Sequence, residues 1–141
     1  MSAQTLINTL ADTARAAGRT LSTATGAERK AALQTIAAAI EARSVEILAA
    51  NAKDMEAGRA AGLNSSLLDR LLLTPERIQG IAGGARQVSE LPDPLGITLR
   101  QSTLPNGIKL EQISVPFGVI GMVYEARPNV TVDAAVILLM S

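Results

Sequence analysis

The sequence predicts an α/β chain: N-terminal helices, then a β-hairpin, then the incomplete start of a further α/β unit. Three observations predict it. The composition is rich in alanine and nearly free of aromatics, with one Tyr and one Phe among 141 residues, which favours helix over an all-β sandwich. Apolar residues recur at helical spacing through roughly the first 90 positions. Beyond them, two prolines within three residues, an Asn-Gly step and a short apolar run replace that period.

Leu6, Ile7, Leu10, Ala14 and Ala17 share one face, and Gly18 is the expected stop. Thr25 followed by Glu28 has capping-box spacing, in which a hydroxyl and a carboxylate satisfy unpaired N–H groups at a helix start. Behind it, Leu33, Ile36, Ala37 and Ile40 form an apolar stripe. Ser44 is the expected cap of a helix carrying Val45, Ile47, Leu48, Ala52 and Met55. Asn64 or Ser65 opens a short helix with Leu67, Leu68, Leu71 and Leu72, a stripe that reads as core or as an oligomer face. Thr74-Pro75-Glu76 supplies a cap, a proline at the first helical position and an acid near the positive dipole end. That helix carries Ile78, Ile81, Ala82, Ala85 and Val88, with Gly83-Gly84 weakening it.

Leu91-Pro92-Asp93-Pro94 ends the helical region. Ile97–Leu104 and Ile108–Val115 flank Pro105-Asn106-Gly107, a strong hairpin signal. Val119–Tyr124 is short and apolar, as expected of a buried parallel strand. Pro128 interrupts it, and Asn129 or Asp133 begins a final helix. A strand and a helix without a second parallel strand make an unfinished βαβ unit, so exposed apolar surface is expected near the C-terminus. The expected divisions are 1–92 for the helical region, 93–116 for the hairpin and 117–141 for the opening of the next domain.

Charge and residue counts exclude several function classes. Lys and Arg total 13, as do Asp and Glu, so no basic excess exists to hold a nucleic-acid backbone. No polybasic stretch addresses an anionic membrane, and no apolar run has bilayer-spanning length. Without a leader-like N-terminus the expected location is cytoplasmic. There is no Cys and no His, which removes disulfides, thiolate metal sites, thiol catalysis and the commonest general base; no metal is expected.

The informative stretch is Val115 to Asp133, VPFGVIGMVYEARPNVTVD. It resembles the γ-glutamyl phosphate reductase (glutamate-5-semialdehyde dehydrogenase) family of the aldehyde dehydrogenase superfamily. LAANAKD (Leu48–Asp54), GLNSSLLDRL (Gly62–Leu71) and LTPERIQG (Leu73–Gly80) resemble the same family in the same order. The likeness covers nearly all of the chain from the second helix onward.

The resemblance implies the following. The last segment is the start of a Rossmann-like cofactor domain, so the chain holds only an N-terminal portion of the family's length. The reaction is NADPH-dependent reduction of γ-glutamyl phosphate to glutamate 5-semialdehyde, in proline biosynthesis, through a thioester on a cysteine. A thiolate is needed because it is a strong nucleophile at neutral pH, and donors must face the developing oxyanion. The family's cysteine lies well past residue 141, so this chain alone is expected to be inactive. Asn129 corresponds by position to the superfamily's oxyanion donor, although the spacing before it differs. Tyr124, Glu125 and Ala126 line the cofactor side, and Arg127 reaches a carboxylate or phosphate of the substrate. A homo-oligomer is implied, with the hairpin serving subunit contacts.

Blander readings stand beside these. Arg127 caps a helix or pairs with Glu125; Asn129 is an N-cap; Glu125 is structural rather than a general base. Gly118 and Gly121 mark either tight packing or close approach of a cofactor. Two other classes of function remain open: a non-catalytic remnant or partner of a chain supplying the catalytic half, and a helix-rich interaction domain.

Overall fold

The computed structural model describes residues 2–125 and 127–141. Five helices come first: α1 Ala3–Leu21, α2 Gly26–Ala42, α3 Ser44–Ala60, α4 Ser65–Leu71 and α5 Pro75–Glu90. An antiparallel hairpin follows, β1 Thr98–Thr103 and β2 Lys109–Ile113, and then α6 Pro128–Met140. This is the helices-then-hairpin order that periodicity and turn chemistry predict, and the α/β class holds.

Local signals explain most helix starts. Thr25 and Glu28 form a complete capping box at α2: the Glu28 N–H donates to Thr25 Oγ1 at 3.2 Å, and the Thr25 N–H to Glu28 Oε2 at 2.7 Å. Those bonds from Thr25 hold the Glu28 carboxyl below its usual range. Asn64 caps α4 and Thr74 caps α5, with Pro75 at the first turn.

Two boundaries differ from expectation. α1 continues past Gly18 to Leu21, where the Ser22 N–H donates to Gly18 O at 2.9 Å; a glycine weakens a helix without forbidding one. α3 starts at Ser44 with Arg43 as the cap residue and no side-chain bond to the cap. The chain passes from α2 into α3 through that single residue, and the Arg43 guanidinium pairs instead with Glu46 at 2.8 Å.

The core lies between α2, α5 and α6. Leu33 and Ala37, Ala82 and Ala85, and Val136 and Met140 are all buried there, with Ile36, Ile40, Val88, Val132 and Leu139 packed around them. Small Ala82 and Ala85 let α5 lie close against Leu33. In α3, Met55 is buried but Val45 is exposed, contrary to its place on the expected face. Gly58 is where α3 and α4 meet: a β-carbon there would come within 3.1–3.3 Å of Leu63, Leu68 and Leu71. The apolar face of α1 stays open, with Leu6, Ile7 and Leu10 exposed.

Buried Arg29 locks the exit from α5 to the start of α2. Its Nη2 donates to both carboxylate oxygens of Asp93 at 2.7 Å, and its Nη1 to Ala24 O at 2.6 Å. The Asp93 carboxylate also stands against Gly26, at the positive end of the α2 dipole.

The hairpin pairs Gln101 with Glu111, Ser102 with Leu110 and Thr103 with Lys109, with an irregularity between Thr98 and Arg100. Asn106-Gly107 makes the turn as expected; Gly107 has φ +85°, a conformation that a side chain disfavours. Both strands are exposed along their whole length.

The run Val119–Tyr124 is not a strand. It is irregular and exposed, Val123 completely so. Among the described residues the sheet consists of β1 and β2, bonded to each other, and a parallel strand without a neighbour has no partner for its N–H and C=O groups. α6 begins at Pro128 rather than at Asn129 or Asp133, because proline arrives with φ already suited to the first helical turn. The expected apolar exposure near the C-terminus is present at Ile137 and along Val115–Val123, while Val136 and Met140 enter the core.

Candidate functional site

The turn between α4 and α5 makes one wall of a cleft of about 420 Å³, and the first turns of α6 make the other. Asp69, Arg70, Leu72, Leu73, Arg77, Gly80 and Ile81 come from the α4–α5 side, and Arg127, Pro128, Asn129 and Asp133 from α6.

A buried amide shapes the first wall. Asn51 of α3, 4% exposed, donates from Nδ2 to Leu71 O at 2.8 Å and accepts from the Leu73 N–H at 2.8 Å. It thus satisfies both sides of the linker where α4 ends and no helical bond is available. Arg77 then folds back over the linker: Nη1 donates to Leu72 O at 2.8 Å and to Asp69 O, and Nη2 to Asp69 Oδ1 at 2.8 Å. Its guanidinium is committed to holding the turn.

The second wall is set by Pro128, which starts α6 with its N-terminus at the cleft, and by Asn129 one residue later. Asn129 Nδ2 donates to Asp133 Oδ2 at 2.8 Å, one helical turn on. Arg127 sits in the cap position with an extended backbone and makes no side-chain bond to the helix.

Of the residues singled out from sequence, Arg127 and Asn129 meet in this cleft. Tyr124 and Glu125 do not join them. The Tyr124 hydroxyl is hydrogen-bonded to Thr131 Oγ1 at 2.5 Å, and Glu125 is exposed. Ala126 lies outside the described residues. Asn129 falls inside the first turn of α6 rather than at its cap, and no ion pair joins Arg127 to Glu125 among the described residues. Asp69, Arg70, Arg77 and Asp133 also line the cleft. The first three stand inside GLNSSLLDRL and LTPERIQG, and Asp133 follows Asn129 at helical spacing; only the fold shows that these meet. Among the described residues no group of His, Cys, Asp and Glu could hold a metal ion, and no helix is long and apolar enough to cross a membrane.

A helical layer, an exposed hairpin and a helix start that carries the asparagine of YEARPN follow one another along the chain. Comparison with known proteins is more particular. The chain is 54% identical over 124 residues to gamma-glutamyl phosphate reductase of Geobacillus thermodenitrificans, covering 88% of this chain and 30% of that protein. It is 62% identical over 108 residues to that of Anoxybacillus flavithermus, covering 77% and 26%. The crystal structure of gamma-glutamyl phosphate reductase from Thermotoga maritima superposes with a TM-score of 0.89 at 37% identity, over 92% of this chain and 31% of that one. The Saccharomyces cerevisiae structure gives 0.88 at 32% identity, over 100% and 35%. No family model matches. The chain is thus homologous to the N-terminal portion of gamma-glutamyl phosphate reductases, and spans about 30% of the curated relatives' length.

Proposed function

We propose that these residues form the substrate-side wall of an NADPH-dependent γ-glutamyl phosphate reductase, which reduces the acyl phosphate to glutamate 5-semialdehyde in the cytoplasm for proline biosynthesis. The observation that carries the reading is the meeting of Arg127 and Asn129, from the family's longest motif, in one arginine-lined cleft.

The chemistry follows from what these groups can do. A guanidinium neutralises and orients the phosphoryl or carboxylate group of the substrate. The Asn129 amide has two N–H groups; one is held by Asp133, which fixes the orientation of the amide, and the other remains to donate to an oxyanion on the acyl carbon. The N-terminus of α6 adds a field of the same sign. The nucleophile is a thiolate from polypeptide outside these residues, since the sequence contains no cysteine. NADPH, when bound, supplies hydride to the acyl carbon. Tyr124 and Glu125 are exposed, outside the cleft. The projecting hairpin, exposed along both strands, suits subunit contact in a homo-oligomer.

The test joins this chain to the remaining two-thirds of the Geobacillus relative and follows NADPH oxidation with γ-glutamyl phosphate. The chimaera turns over, the chain by itself does not, and Asn129→Ala in the chimaera costs about 10²–10³ in kcat. Turnover by the chain alone would overturn the thioester account. An inactive, folded chimaera beside an active relative would overturn the assignment.

A further inference from the structure

We infer that Arg70 is the specificity-determining contact for the carboxylate end of the acyl phosphate, the opposite end from the phosphoryl group that Arg127 receives. The inference rests on the reading of the cleft as the acyl-phosphate site and extends it to the other end of the ligand.

Three arginines line the cleft, and they are not equivalent. Arg77 is bonded to Asp69 and to the linker carbonyls. Arg70 and Arg127 have no acidic partner among the described residues. The two aspartates of the lining are already engaged, Asp69 by Arg77 and Asp133 by the Asn129 amide. Asp133 keeps its charge, since the amide that bonds it is neutral, so the lining is net positive by one, and two guanidiniums without an ion-pair partner line the same cavity, one from the α4 side and one from the α6 side. A ligand with one anionic group would need one of them. A ligand anionic at both ends uses both, and a planar guanidinium matches a carboxylate with two parallel bonds where a lysine offers a point charge. The volume, about 420 Å³, falls in the range of about 300–1,000 Å³ that small-molecule sites occupy.

The experiment titrates the chain with L-glutamate and separately with inorganic phosphate. Binding is followed by calorimetry and by the NMR signals of the arginine side-chain N–H groups. Arg70→Gln weakens L-glutamate on the order of tenfold or more and leaves phosphate within about twofold; Arg127→Gln does the reverse. Arg70→Lys recovers part of the glutamate affinity. The Arg70 side chain makes no hydrogen bond or ion pair among the described residues, so Arg70→Gln keeps the helical circular dichroism of the parent. Equal weakening of both ligands by Arg70→Gln would show a general field and overturn the assignment. Unchanged glutamate binding in Arg70→Gln, with phosphate still lost in Arg127→Gln, would remove the role of Arg70 and leave the acyl-phosphate reading standing. A parent chain that binds neither ligand would remove both.

Discussion

Replacing Asn51 with alanine tests how the cleft wall is held. The side chain is almost fully buried and closes two bonds of 2.8 Å, to Leu71 O and from the Leu73 N–H, across the end of α4. Alanine removes both partners at once and leaves one carbonyl and one N–H part-buried with nothing to bond. Each such group costs about 1–3 kcal/mol, so the loss is about 2–6 kcal/mol. Urea unfolding followed by helical circular dichroism measures it, as a fall in midpoint at constant slope. Lys53→Ala, two residues along on the exposed face of the same helix, is the control and stays within about 0.5 kcal/mol. Because Leu72 and Leu73 line the cleft, Asn51→Ala also weakens phosphate binding under conditions where the chain remains folded. If Asn51→Ala were no more destabilised than Lys53→Ala, water would be satisfying both linker groups and the clamp would not exist.

Two further outcomes are expected. Leu33→Ala, at a position with no exposure in the three-helix core, costs about 2–5 kcal/mol in the same assay, whereas Val45→Ala on the exposed face of α3 changes stability by less than about 0.5 kcal/mol. The Asp93 carboxyl is held below its ordinary value, first by the Leu95 N–H, then by the Arg29 guanidinium and the charges of Arg29 and Lys30, against opposition from desolvation. Its contribution is therefore present above the unfolded carboxyl pKa of about 3.9 and disappears as pH falls through the lower folded value. Thermal unfolding between neutral and acidic pH shows a steeper acid loss for the parent than for Asp93→Asn; parallel profiles would contradict the ion-pair account.

What was legible in the sequence was what depends on neighbours along the chain. The Thr25–Glu28 box, the Thr74-Pro75 start and the Asn106-Gly107 turn each act within a few residues, and each stands where its local chemistry puts it. Periodicity found Leu33 and Ala37, and Ala82 and Ala85, because a helix carries those positions to one face whatever they later meet. It failed at Val45, since an apolar residue at the right spacing is buried only if another element arrives above it. Val119–Tyr124 failed for a related reason: apolar composition permits a buried strand, but a strand exists only through bonds to a neighbour.

The site divides the same way. Arg127 and Asn129 were readable because one motif holds both. Asp69, Arg70 and Arg77 precede them by roughly fifty residues, in segments whose likeness to the family was visible but whose charges had no assigned partner. Asn51 stood inside LAANAKD with no role of its own, although its amide holds the linker in place. By itself, the amino-acid order determined the helix starts, the turn, the apolar stripes and the kinship with gamma-glutamyl phosphate reductases, all of which are written in short stretches of chain. Only the tertiary structure decided that the α4–α5 turn faces the start of α6, which arginine is bonded within the fold and which lack an acidic partner among the described residues. Those are relations between distant residues, and they arise when α2, α5 and α6 bury a common core.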